Sequence, residues 1–196
     1  MIKSCAFPIA SLLVSGSMLV TPASFAQTGP SGAWLDSQTN WNQAPSAIPR
    51  APQIQGGGNL ANCQLGRRSA ALPEDRLVEA AGWSLMGAAQ IFGKTTVVSG
   101  MANADGMCRP LTYQVFVFSG GQFIGTLSPI PMDSRTDGSL IDANLYREDY
   151  IGASFNRYKP EDALCCASGS SWLTYEIKQE NNRSVLVPQW PASPGQ

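Results

Sequence analysis

No histidine occurs anywhere in the 196 residues. That absence excludes Ser-His-Asp and Cys-His catalysis, zincin motifs and every His-ligated metal site. Charge is scarce as well: Asp, Glu, Lys and Arg make up 14% of the chain, against roughly 25% in ordinary globular proteins. Neither sign dominates, because 13 Lys and Arg face 14 Asp and Glu, for a formal net charge of −1. Neutralising phosphates needs clustered basic residues, so the balance argues against a nucleic-acid partner. The chain also lacks C-x-x-C, G-x-S-x-G and S-x-x-K motifs, and no Gly-rich phosphate loop joins a strand to a helix. No cofactor is implied. What is present is a hydrophobic fraction of 43%, enough for the core of one domain with tails.

The first 26 residues read as a signal peptide. Lys3 gives a positive start, Ala6 to Val20 is apolar, and small residues at Ser24 and Ala26 precede Gln27. The apolar run is interrupted by Pro8 and Gly16 and falls short of the roughly twenty residues a membrane span needs. The expected mature chain begins at Gln27, is exported to the periplasm or the extracellular space, and keeps no transmembrane span. Cys5 precedes the apolar run, where a lipid-attachment cysteine would have to follow it. Losing Lys3 takes the basic count from 13 to 12 and the net charge to −2.

Four cysteines then remain, Cys63, Cys108, Cys165 and Cys166. An even count in an exported chain reads as structural disulfides. Of the three connectivities, the one joining the neighbours Cys165 and Cys166 is disfavoured. Adjacent Cα atoms stand about 3.8 Å apart, whereas disulfides prefer about 5.5 Å. The expectation is therefore that Cys63 and Cys108 are each tied to the adjacent pair, in an order the sequence leaves open. A redox dithiol is the alternative, but Asp162 nearby opposes thiolate formation.

Residues 27–59 are rich in Pro, Gly, Ser, Gln and Asn, and close on Gly56-Gly57-Gly58. They read as an arm or linker. Trp34 and Trp41 within it are too apolar to leave in water, so part of the arm is expected to dock on its own domain. The domain itself spans 60–187, followed by a Pro-rich tail over 188–196. Pro73-Glu74-Asp75 opens a helix to Ala81, stopped by Gly82. Strands are expected at 95–99, 113–118, 122–128, 139–146, 150–158, 172–178 and 184–187. Tyr113 to Phe118 is apolar on both faces, and Ser119-Gly120-Gly121 makes a hairpin turn. Leu173, Tyr175 and Ile177 alternate as an inward row, as do Ile151, Ala153 and Phe155. The fold class is α+β, mainly antiparallel sheet with one short helix, stapled by disulfides.

Site candidates are few. Asp133 and Asp137-Gly138 match three positions of a calcium loop, but Arg135 puts a cation at a ligand position. A turn with an Asp–Arg pair is the better reading. Asp105 and Arg109 flank a turn that feeds Cys108. These five, Asp105, Arg109, Asp133, Arg135 and Asp137, are the candidate ligand or turn residues. Converging carboxylates would make a hydrolase, with Asp133, Asp137 and Asp142 as candidates.

The stretch from Cys63 to Ile177, 115 of the 196 residues, resembles the LppP/LprE-type lipoprotein family, exported bacterial proteins without an established activity. Five motifs carry the resemblance: Ala81-Gly82-Trp83, Asp105 to Pro110, Val115 to Phe118, Phe123 to Pro129, and Arg157-Tyr158 with Asp162 to Cys166. The longer ones are most similar to cyanobacterial versions. Ala167 stands where the family pattern often has proline, and the leader lacks a lipid-attachment cysteine. The resemblance implies an exported envelope protein and brings no catalytic residue with it. A non-catalytic binding or envelope-structural domain is the leading expectation, with the carboxylate hydrolase and a vicinal-cysteine redox protein as alternatives.

Overall fold

A computed structural model describes residues 32–43, 47–54, 59–64 and 66–195. The leader read over 1–26, Cys5 and Gly56-Gly57-Gly58 lie outside the described residues. One α-helix, α1 (Pro73–Ala80), precedes eight strands: β1 (Ser84–Phe92), β2 (Thr95–Ala104), β3 (Pro110–Ser119), β4 (Gln122–Thr126), β5 (Leu140–Arg147), β6 (Tyr150–Arg157), β7 (Gly169–Glu180) and β8 (Arg183–Pro194). The α+β class holds, but the strands divide into two four-stranded antiparallel meanders, ordered β1-β2-β3-β4 and β5-β6-β7-β8. Two further differences concern strand bounds. The stretch from Ser84 pairs with β2 as a full strand. The last strand also runs to Pro194, through the segment its prolines suggested was a tail. β8 is an edge strand, where proline's missing N–H leaves no ladder bond unmade.

The two sheets face each other across one core. Val97, Met101, Val115, Val117 and Ile124 meet Ile151, Phe155, Leu173, Tyr175 and Leu186, all buried. The alternate residues of the first sheet, Val98, Phe116 and Phe118, pack under Val78 of α1 and Trp83 in a second cluster. β3 is thus buried on both faces. Gly100 lets the helix approach, since a Cβ there would stand 2.9 Å from Trp83 Cβ and 3.2 Å from Val78 Cγ1. The helix start is fixed by Asp75. Its buried carboxylate accepts the N–H groups of Ala71 and Leu72 at 2.9 Å each and both arms of the Arg68 guanidinium. On one flank the sheets are stitched by Gln90, which donates to the Ala143 carbonyl at 2.6 Å and accepts the Leu145 N–H at 2.7 Å.

The segment before the helix is part of this core. Leu35 is buried, and Trp34 and Trp41 pack against the shared cluster. Trp34 stands edge-on to Phe155 at 4.9 Å, and Trp41 edge-on to Trp190 at 6.2 Å. Asn42 extends β4 as a strand would: Nδ2 donates to the Thr126 carbonyl at 3.1 Å and Oδ1 accepts the Thr126 N–H at 3.0 Å. Gly125 makes room, because a Cβ at its φ of +148° would meet Asn42 Cγ at 2.5 Å. Arg157 completes the clasp, bonding Asp36 through both terminal nitrogens (3.0 and 2.8 Å) and Asp137 through Nε at 3.1 Å.

The disulfide pattern corrects the sequence expectation. Cys63 bonds Cys108, with Cα atoms 5.3 Å apart, and Cys165 bonds its neighbour Cys166, with Cα atoms 3.8 Å apart. The reason is position. Cys108 lies in the β2–β3 turn, against the 3-10 turn Asn59–Asn62 that leads into Cys63. Cys165 and Cys166 sit exposed on the separate β6–β7 loop.

Candidate functional site

The sequence-predicted residues are engaged in turns. Asp105 Oδ1 accepts the N–H groups of Met107 and Arg109 at 2.8 and 3.0 Å, while Oδ2 accepts Arg109 Nε at 2.6 Å. The Arg109 N–H leads the effects that hold this carboxyl below its ordinary value. The lock sets Cys108 at a φ of 62° for its bond to Cys63. Asp133 Oδ1 accepts the N–H of Thr112, itself at a φ of 50°, at 2.6 Å. Arg135 occupies the left-handed region at a φ of 66° and makes no ion pair among the described residues. Asp137 accepts the Tyr158 N–H at 2.9 Å beside its bond to Arg157. Asp105, Arg109 and Asp133 gather at one end of the sandwich, where Ser134 bonds the Pro110 carbonyl. Asp137 is drawn away to Arg157, and Asp142, on β5, stands apart from both groups. No group of three or more Asp, Glu or Cys able to hold a metal ion occurs among the described residues.

The vicinal cysteines occupy a loop ordered by Asp162. Its Oδ2 accepts the N–H groups of Lys159 and Ser168 at 2.8 and 2.9 Å. Those two bonds, Lys159 first, lower its pKa. Leu164 is 70% exposed beside the pair.

The two outer sheet faces differ in a way that points to a site. That of the first sheet is covered by α1 and Trp83. No described helix or strand covers that of the second sheet, and the strand register sets its side chains in rows. Asp142 pairs with Ser154, Ser154 with Trp172, and Trp172 with Ser193, one residue from each strand. The next row is Asn144, Gly152, Thr174 and Gln189. Side chains alternate across a strand, so burying Ile151, Ala153, Phe155, Leu173 and Tyr175 forces these rows outward. Gly152 shapes the face, since a Cβ there would overlap the Trp172 ring and come within 2.9 Å of Tyr146 Cε2. Without it the Trp172 indole lies across β6 beside Tyr146, ring centroids 6.4 Å apart, with Tyr150 6.3 Å beyond.

Asp142, Ser154, Trp172, Ser193, Pro194 and Gly195 line an open cleft of about 480 Å³ on this face. Its polar groups are differently placed from those in the turns. Asp142 accepts only Asn144 Nδ2, at 2.8 Å, and the side chains of Ser154, Trp172 and Ser193 make no hydrogen bond among the described residues. The cleft therefore offers one large aromatic ring, two hydroxyls without a partner among the described residues, and a carboxylate. Sequence reasoning missed it. The alternation that turned Leu173 inward also turned Trp172 outward, and a tryptophan on a polar face was the available signal.

Residues 94–180 match the family model described as LppP/LprE lipoprotein. The match runs from β2 through β7 and bears out the resemblance carried by the motifs from Asp105 to Cys166; Ala81-Gly82-Trp83 and β8 lie outside it. No curated protein and no solved structure matches the chain. Among the described residues no helix is long and apolar enough to cross a membrane.

Proposed function

We infer that this chain, with its LppP/LprE-type segment, is an exported, non-catalytic binding module of the cell envelope, periplasmic or extracellular, whose contact surface is the outer face of the second sheet. Export is supported by the leader reading, by the lipoprotein description of the matched family, and by the Cys63–Cys108 disulfide, a bond typical of oxidising compartments. The observation that carries the surface is the Asp142–Ser154–Trp172–Ser193 row, a face that, among the described residues, no other element covers and that presents a large ring among polar groups with few partners. A non-catalytic role fits the carboxylates: Asp133 and Asp137 are held by backbone N–H groups and Arg157, apart from Asp142. Those whose acidity the structure shifts, Asp36, Asp75, Asp105 and Asp162, all move downward, opposite to the direction a general acid needs.

Sedimentation with a washed envelope preparation of membranes and wall tests this reading. The full chain should pellet with the envelope, Trp172→Ala should reduce capture about tenfold, a change of about 1.4 kcal/mol, and Arg109→Ala should leave it unchanged. Equal capture of the Trp172 variant would refute the surface.

A second reading, thiol–disulfide exchange at Cys165–Cys166, is favoured by the exposure of that self-bonded pair. A dithiol donor would be oxidised to its own disulfide as the pair takes up two electrons and two protons. Under a mild dithiol reductant, Cys165 and Cys166 should become alkylatable before Cys63 and Cys108; simultaneous reduction would remove this reading.

A further inference from the structure

We propose that the cleft binds a short, uncharged stretch of polysaccharide, with the Trp172 ring against a sugar face and Ser154, Ser193 and Asp142 on the hydroxyls. The inference deepens the surface assigned above and rests on it.

Three features of the cleft together select this ligand class. The first is the ring itself. Gly152 removes the one side chain that would prop the Trp172 indole off β6, so the ring packs close over the strand, with Tyr146, 52% exposed, tilted at 51° beside it. An aromatic ring presented on a polar face suits a ligand with an apolar C–H face. The second is the surrounding polar set. Ser154 and Ser193 each supply a donor and acceptor, and Asp142 supplies acceptors only, held by Asn144. A purely apolar occupant, such as an acyl chain, would bury these groups unpaired, which disfavours it. A ligand with hydroxyls at its rim and an apolar face satisfies both. The third is charge. Among the described residues that line the cleft, Asp142 is the only charged one. A phosphate or carboxylate would meet a like charge there and no cation, which selects against anionic ligands.

The dimensions agree. The row crosses four strands, hence three spacings of about 4.8 Å, or about 14 Å from Asp142 to Ser193. That is the length of a short oligosaccharide. The volume of about 480 Å³ lies in the range of small-molecule sites, about 300–1,000 Å³. Asp142 lies exposed at one end of the row, on the edge strand β5, and among the described residues no element follows it on this face, so a longer chain could continue beyond the cleft.

The test titrates the full chain with three soluble probes: an N-acetylglucosamine trisaccharide, a glucose trisaccharide and an anionic galacturonate trisaccharide. Tryptophan emission and backbone amide shifts report binding. At least one neutral trisaccharide should bind with Kd near or below about 1 mM and shift the amides of Ser154, Trp172 and Ser193. The anionic probe should bind at least tenfold more weakly. Trp172→Ala should weaken the neutral probe at least tenfold, and so should Asp142→Ala, which is exposed and leaves the core untouched. Envelope digested with a glycosidase mixture should no longer capture the chain. If Trp172→Ala abolishes envelope capture but digested envelope still binds fully and neither neutral probe shifts any amide, the surface stands and the saccharide assignment is overturned. If the Trp172 variant is captured like the wild type, the surface reading fails and takes this inference with it.

Discussion

Replacing Asp75 by Asn should destabilise the fold by about 3 kcal/mol at pH 7, and the penalty should shrink in acid. Asp75 is fully buried. Burial is the largest influence on its carboxyl and raises the pKa, but the Arg68 guanidinium and the N–H groups of Leu72 and Ala71 together outweigh it and bring the pKa from 3.8 down to about 2. At about 1.4 kcal/mol per unit, that difference is worth about 2.5 kcal/mol. The native pKa is depressed, so the unfolded state binds the extra proton. The stabilisation is therefore complete above about pH 5 and disappears as pH falls through 4 towards 2. The amide of Asn also turns an N–H₂ towards donors and leaves Arg68 without its counter-charge, which adds to the loss. Urea denaturation of both proteins at pH 7, 5 and 3 measures the effect. Taking the difference between them removes the contributions of the other low-pKa carboxylates. A difference below 1 kcal/mol at pH 7, or one that stays constant down to pH 2.5, would refute the account of Asp75 as the ionic lock of α1.

Replacing Cys63 and Cys108 by Ala opens a loop of 45 residues' separation and should lower stability by about 4 kcal/mol on the loop-entropy relation. Replacing Cys165 and Cys166, adjacent in sequence, should change it little; denaturant midpoints check both. Gly125→Ala should push Asn42 out of its place beside Thr126 and red-shift the emission of Trp41, with a loss of roughly 1–3 kcal/mol. Tyr175→Phe removes the buried hydroxyl that bonds the Leu127 carbonyl and should cost about 1–2 kcal/mol by urea denaturation.

The strands of both meanders were legible wherever burial alternated cleanly, as in Ile151-Ala153-Phe155 and Leu173-Tyr175-Ile177. β1 was not, because its register slips between Met86 and Gln90 around Gly87, at a φ of 60°. That slip breaks the period-2 signal. The extension of β8 was hidden by Pro188, Pro191 and Pro194, residues that signal a break in an interior strand but are tolerated on an edge. The division into two sheets depends on the connection from Leu127 to Ser139, which a sequence shows only as turns. Disulfide pairing likewise depends on which loops meet. For the site, the outward aspect of Trp172 could be read from alternation. Its row with Asp142, Ser154 and Ser193 exists only through the register of four strands, and the role of Gly152 only through the ring that lies over it. Of the five charged residues singled out by motif, Asp105 and Asp133 hold backbone N–H groups, Arg109 bonds Asp105, and Asp137 bonds Arg157 and the Tyr158 N–H; an Asp near a glycine or a cysteine serves the backbone as readily as a ligand.

The placement of Trp34, Trp41 and Asn42 also sets an order of events. These residues leave the ribosome early, yet their partners come late: Thr126 lies 84 positions on from Asn42, Arg157 lies 121 on from Asp36, and Trp190 is in the last strand. Contacts of such separation slow folding, because the chain closes large loops before they are rewarded. While the chain is being made, the first sheet can pair within itself, but its inner face has nothing to close it. The core is completed only when β8 is released, and the opening segment is then drawn in to seal it. The opening segment and the closing strand are thus the last parts of the core to meet.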